Sequence, residues 1–203
     1  MLLRWIDPPI TTTQISRWMN GDGIARDYVS WSHISVSMRL AVVASEDQMF
    51  PFHEGFDWPS IMKAAERNKA SRRVRGASTI SQQVAKNVFL WQGRSWFRKG
   101  LEVYFTFMIE KVWGKRRILE VYLNVAETGK GLFGVEAAAQ RYFKKHASNL
   151  SQTEAAMIAA SLPNPKRYTV KPLSNYVASH YEHVMTQMNN LIGVPEIAEL
   201  VNN

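Results

Sequence analysis

The sequence predicts a mainly α fold, and three observations predict it. Apolar residues recur at three- and four-residue steps in one segment after another, helix caps precede several of them, and strand-like runs are few. With 203 residues, 46% of them hydrophobic, the chain fits a single domain with a buried core. Repeats and low-complexity tracts are absent.

Residues 1–33, with Pro8, Pro9 and the "NGDG" turn at 20–23, read as an irregular or extended approach. "ISVSMRLAVVAS" gives a first helix, and "WPSIMKAAERNKA", with Pro59 near its start, gives a second. The stretch "NKASRRVRGAS" carries Lys69, Arg72, Arg73 and Arg75 with no acid between them and reads as a mobile loop. "STISQQVAKNVFLW" resumes the helix, with Ser78 as its cap and Ile80, Val84 and Val88 at four-residue steps. In "RKGLEVYFTFMIEKVW", Leu101, Tyr104, Phe105, Met108, Ile109 and Val112 form one buried face, with Glu102 at its border. "KRRILEVYLN" and "GVEAAAQRYF" are shorter helices. "SQTEAAMIAASL" opens on a capping box, Ser151 to Glu154, and is stopped by Pro163 and Pro165; "SNYVASHYEHVMTQMNNLI" is the last helix.

Twenty-five basic against seventeen acidic residues give a net charge of +8, which favours a polyanionic partner: nucleic acid, an anionic membrane face or a diphosphate. The lack of cysteine excludes disulfides and thiolate metal sites. No uncharged apolar run reaches the roughly 18 residues of a membrane-spanning helix.

Three stretches carry chemistry. In "ASEDQMFPFHEGFD", Glu46 and Asp47 sit at the carboxyl end of the first helix, where the helix dipole disfavours negative charge by about 0.3–1 kcal/mol. A carboxylate kept there is a candidate general base, set against the plainer reading of a solvated surface group. The spacing of Glu46, His53 and Asp57 across Pro51 matches no metal-ligand pattern. In "RGASTISQQVAKN", Ser78, Gln82, Gln83, Lys86 and Asn87 form a polar stripe opposite Ile80, Val84 and Val88. Such a stripe is either a wet helix face or a surface for a sugar or phosphate. In "GRSWFRKGLE", Arg94, Arg98, Lys99 and Glu102 include a simple helix pair at Arg98 and Glu102, or a clamp for a diphosphate. Trp91, Trp96 and Phe97 interleave with these cations, a mixture suited to a lipid headgroup layer.

The blocks "EDQMFPFHEGFD", "RGASTISQQVAKN", "RKGLE", "KRRILEVYLN" and "GLFGVEAAAQRYF" occur in that order, and over roughly residues 38–168 the chain resembles the peptidoglycan glycosyltransferases. That family comprises the monofunctional biosynthetic transglycosylases and the glycosyltransferase domain of bifunctional penicillin-binding proteins. The resemblance is closest to the monofunctional enzymes, since no transpeptidase domain fits in 203 residues. It implies a single glycosyltransferase domain over 1–203: a lysozyme-like lobe with a smaller membrane-facing flap lobe from about residues 50–100.

The resemblance further implies Glu46 as catalytic base, its proton affinity raised beneath Phe50 and Phe52, and Glu102 as an aid at the donor diphosphate. Lys86, Arg94, Arg98 and Lys99 would bind phosphates; Ser78, Gln82, Gln83 and Asn87 would line a sugar cleft. Asp47, His53, Thr79 and Asn124 are further substrate-binding candidates. No cofactor is obligatory, although a divalent cation, Mg or Mn, is allowed at Glu102. The implied reaction polymerises lipid II into β-1,4-linked glycan, with inversion and release of undecaprenyl diphosphate. The implied partners are lipid II, the growing glycan chain, the membrane surface and, as the family allows, other cell-wall synthesis proteins, but no nucleic acid. The implied location is periplasmic or on the outer face of the cytoplasmic membrane, held by an N-terminal helix that this chain lacks. Two rivals stand beside this reading: a lysozyme-like hydrolase, which needs two carboxylates flanking the bond, and a basic nucleic-acid-binding module using "SRRVRG".

Overall fold

The structure is a computed structural model that describes residues 2–70, 78–93 and 95–203, with no side-chain description at 68–70. Most of the basic loop and Arg94 therefore lie outside the described residues.

The chain is mainly α, in line with the lysozyme-like fold that the resemblance implies. Its helices are α1 (Thr12–Met19), α2 (Val36–Glu46), α3 (Trp58–Ala70), α4 (Ile80–Phe89), α5 (Trp96–Val112), α6 (Lys115–Val125), α7 (Val135–Phe143), α8 (Gln152–Ser161), α9 (Asn175–Leu191) and α10 (Pro195–Asn202). A small sheet joins β1 (Ala25–Arg26), β2 (Glu127–Gly129) and β3 (Leu132–Phe133) in the order β1-β3-β2. β1 runs parallel to β3, and β2 runs antiparallel to it.

α2 is the axis of the fold. All seven residues from Met38 to Ala44 are buried, so this helix has no wet face and must be wrapped by others. α8 and α9 pack on one side of it, while α4, α5 and α6 form the adjoining group; α10 touches both α2 and α6. The alanines of α8 (Ala155, Ala156, Ala159 and Ala160) let its backbone approach α2 closely, and Ser45 donates to the Ala159 carbonyl at 3.3 Å. Arg39, buried in the middle of α2, is balanced by the carbonyls of Val201 and Trp31 and lies over the Trp31 ring.

Four local expectations need correcting. The approach at 1–33 is not irregular throughout: Thr11 caps α1 through a complete capping box with Gln14. A helix follows α9, with Pro195 at its start. Thr79, not Ser78, caps α4. On α5 the deepest line is Glu102, Thr106, Ile109 and Trp113, so Glu102 lies at the centre of the buried face, whereas Tyr104 is exposed. The aromatics Trp58, Trp96, Phe97 and Phe107 also face outward. No helix among the described residues is long and apolar enough to cross a membrane.

Candidate active site

Glu46 is the last residue of α2, and Asp47 caps the helix with an extended backbone that turns the chain away. That turn leaves the Glu46 carboxyl on the wall of a groove of about 470 Å³. Gln83 Nε2 donates to Glu46 Oε2 at 2.7 Å, and the hydroxyl of Tyr122 stands 3.4 Å from Gln83 Oε1. Burial pushes the Glu46 carboxyl above its ordinary proton affinity. The Gln83 hydrogen bond opposes the rise, Asp47 adds to it, and Lys86 and Tyr122 oppose it. Phe50 sits in the core under Lys115, and Phe52 is half exposed. The polar groups at the carboxyl are Gln83 and, behind it, Tyr122.

Behind Glu46, one turn further along α4, lies Lys86. Burial lowers the affinity of its ammonium for a proton, Glu102 and Glu46 raise it, and Arg98 and Lys99 lower it. Lys86 thus stands between the two glutamates electrostatically. Glu102 is only 4% exposed, and both of its oxygens are taken: Arg98 Nη1 donates to one at 3.0 Å, and Lys99 Nζ to the other at 2.5 Å. A divalent cation at Glu102 would have to share its oxygens with these two cations, and among the described residues no group of three acidic, His or Cys side chains converges to hold one. The Arg98 Nε is buried and without a partner, so the guanidinium retains an unused donor.

Asp47 and His53 act locally as a clasp. Asp47 Oδ2 accepts from the Ile80 backbone N–H at 3.0 Å, which ties the end of α2 to the start of α4. The same carboxylate meets His53 Nε2 at 3.1 Å, while His53 Nδ1 accepts from the Gly55 N–H. His53 with that pattern carries its proton on Nε2. Thr79 Oγ1 donates to the Gly55 carbonyl at 2.7 Å, and the Thr79 and Gln82 side chains close the cap of α4 on each other. Gly55 has φ +88°, and a Cβ there would lie 2.7 Å from the Thr106 methyl, so this close approach requires glycine. Asn124 is buried, accepts from the Val29 N–H and donates to the Val29 and Glu120 carbonyls. These side chains are committed to the fold around the site. Ser78 is exposed on the groove wall, and Asn87 is half buried, with its carbonyl accepting from Thr12.

The far wall of the groove comes from α3: Ser60, Lys63, Ala64 and Arg67, at three- and four-residue steps on one face. Lys63 and Arg67 were not singled out from sequence, although their shared stripe was the signal available. Asp57 also lines the groove. Burial would raise its carboxyl, but the hydroxyl and backbone N–H of Ser60 hold it below its ordinary value.

The arrangement is that of a group-transfer enzyme: a desolvated carboxylate on a groove, adjoining a chain of fixed cations. The comparisons with known proteins agree. The family model described as "Transglycosylase" matches residues 12–189. "Biosynthetic peptidoglycan transglycosylase" of Cronobacter sakazakii is 57% identical over 183 residues, covering 89% of this chain and 76% of that protein. The protein of the same name from Pseudomonas putida is 48% identical over 206 residues, covering 98% and 87%. The one from Salmonella schwarzengrund is 58% identical over 184 residues, covering 89% and 76%. The chain belongs to the transglycosylase family.

Proposed function

We propose that this enzyme, a peptidoglycan glycosyltransferase, polymerises lipid II, with Glu46 as the base. The family and its relatives' names support the activity. The observation that carries the residue assignment is the Glu46 carboxyl itself: raised in proton affinity, without an ion pair among the described residues, and electrostatically coupled to Lys86.

The acceptor's sugar 4-hydroxyl is a poor nucleophile until it loses its proton, and a carboxylate of raised affinity in the groove takes it. The departing group is undecaprenyl diphosphate. Its growing charge calls for cations rather than for an acid, and Lys86, Arg98 and Lys99 supply them. Glu102 holds Arg98 and Lys99 in place. Direct displacement from the opposite face inverts an α-linked donor to a β-1,4 product. The exposed aromatics beside this cluster, Trp96 and Phe97, suit the membrane surface on which a lipid-linked substrate travels. The enzyme works at the cell envelope, on the periplasmic or outer face of the cytoplasmic membrane.

A hydrolase would pair Glu46 with a second free carboxylate across the bond. Asp47 and Asp57, the other acids of the groove, are tied to Ile80 and to Ser60. The test is incubation of the full chain with lipid II. Long glycan and free undecaprenyl diphosphate are expected, and Glu46→Gln abolishes both; shortening of pre-formed glycan, or full turnover by the variant, refutes the assignment.

A further inference from the structure

Tyr122 is 2% exposed on α6, at a position that reads as plain core in "ILEVYLN". Its hydroxyl nevertheless stands behind the groove, 3.4 Å from Gln83 Oε1, while the nitrogen of the same amide donates to Glu46 Oε2 at 2.7 Å. An amide can only accept at its oxygen and only donate at its nitrogen. A phenol donor on the oxygen side therefore decides which end of Gln83 meets Glu46. Turned over, the amide would set a carbonyl oxygen against the carboxylate. The hydroxyl also opposes the rise in the proton affinity of the Glu46 carboxyl.

We propose that Tyr122 is a positioning residue for the transfer reaction: it keeps the donor end of Gln83 on Glu46 and holds that carboxylate in its ionised, proton-accepting form. The inference rests on Glu46 being the base. A base in a desolvated site has two opposed needs: it must stay ionised, yet it must retain affinity for the proton it takes. Neutral donors meet both, because they stabilise the anion less than a direct ion pair does. Burial, followed by the charge of Glu46, pushes the Tyr122 phenol well above its ordinary affinity, so it remains a donor at working pH. Among the described residues, the charged groups around Glu46 are Asp47 at the end of α2, Lys86 on α4 and, lining the same groove, Asp57, Lys63 and Arg67. All of them persist when the hydroxyl alone is removed.

The experiment is Tyr122→Phe in the full chain, with lipid II turnover followed from about pH 5 to 9. Loss of a donor that favours the charged form raises the affinity of Glu46, so the acid limb of kcat/KM moves to higher pH. Turnover at the acid end falls about tenfold against wild type, while the alkaline plateau stays within about twofold. A uniform loss with the limb in place, or an unchanged profile, overturns the inference. If Tyr122→Phe does not fold, Gln83→Met reads the same relay from its other end: the limb must move in the same direction, and an unmoved limb is equally fatal. An inactive Glu46→Gln with an unmoved Tyr122→Phe profile rejects the relay alone. An active Glu46→Gln rejects the base itself.

Discussion

The two glutamates of the site are environmental opposites. Glu46 ends a helix, accepts from an amide with a phenol behind it, has no ion pair among the described residues, and is raised in proton affinity by burial. Glu102 lies on the second turn of α5, more deeply buried, with a cation on each oxygen. The same side chain is thereby made reactive in one place and structural in the other. Two fixed cations occupy the oxygens of Glu102, whereas Glu46 accepts its hydrogen bond from a neutral donor and is left available for a proton. Lys86 couples the two, since it feels both carboxylates.

The sharpest break in this comparison is Glu46→Gln. Removing a general base should lower lipid II turnover by about 100- to 10,000-fold with the fold preserved, as read by a gel assay alongside the circular dichroism spectrum. Lys86→Met comes next. Loss of one charge-assisted contact to a diphosphate should reduce kcat/KM by about 10- to 100-fold. The acid limb should also move to higher pH, because Lys86 favours the ionised form of Glu46. An unmoved limb would uncouple Lys86 from Glu46.

Glu102→Gln should behave differently. It leaves Arg98, with its buried unpartnered Nε, and Lys99 without their counter-charge. Destabilisation of about 1–3 kcal/mol is expected in urea unfolding, accompanied by a smaller loss of turnover per folded molecule than at Glu46. A stable variant that is as inactive as Glu46→Gln would give Glu102 a direct chemical part.

Much of this contrast was legible in the sequence, and the illegible part has a common cause. Glu46 at a helix end was readable because dipole and charge conflict within five residues of chain. The cap of α1 was equally local: Thr11 and Gln14 stand three apart, but the β-branched "TTT" and the prolines before it masked the signal. Glu102 was harder. Helical periodicity assigns the buried face to apolar residues, so a glutamate at its centre is read as a border residue until its two cations are seen. Tyr122 was out of reach, because its partner Gln83 is 39 residues away and a tyrosine in an apolar helix reads as core. Gln82 looked like part of a polar stripe, yet its spacing of three from Thr79 is also that of a capping box, and the cap prevailed.

The smallest expected effect concerns stability. The folded-state proton affinity of Glu46 lies above its ordinary value of 4.5, so the native state holds this proton more tightly than the unfolded chain does. By linkage, the group's contribution is fully favourable below that ordinary value and is lost as pH rises through the folded one. Above that window wild type keeps a charge in a desolvated place, and Glu46→Gln does not. The variant should therefore melt higher than wild type at pH 8, and the gap should close as pH falls toward 4.5. Melting curves for both proteins across that range decide the matter. A gap that is constant with pH would mean that Glu46 is not strained in its ionised form, and its contrast with Glu102 would then rest on position alone.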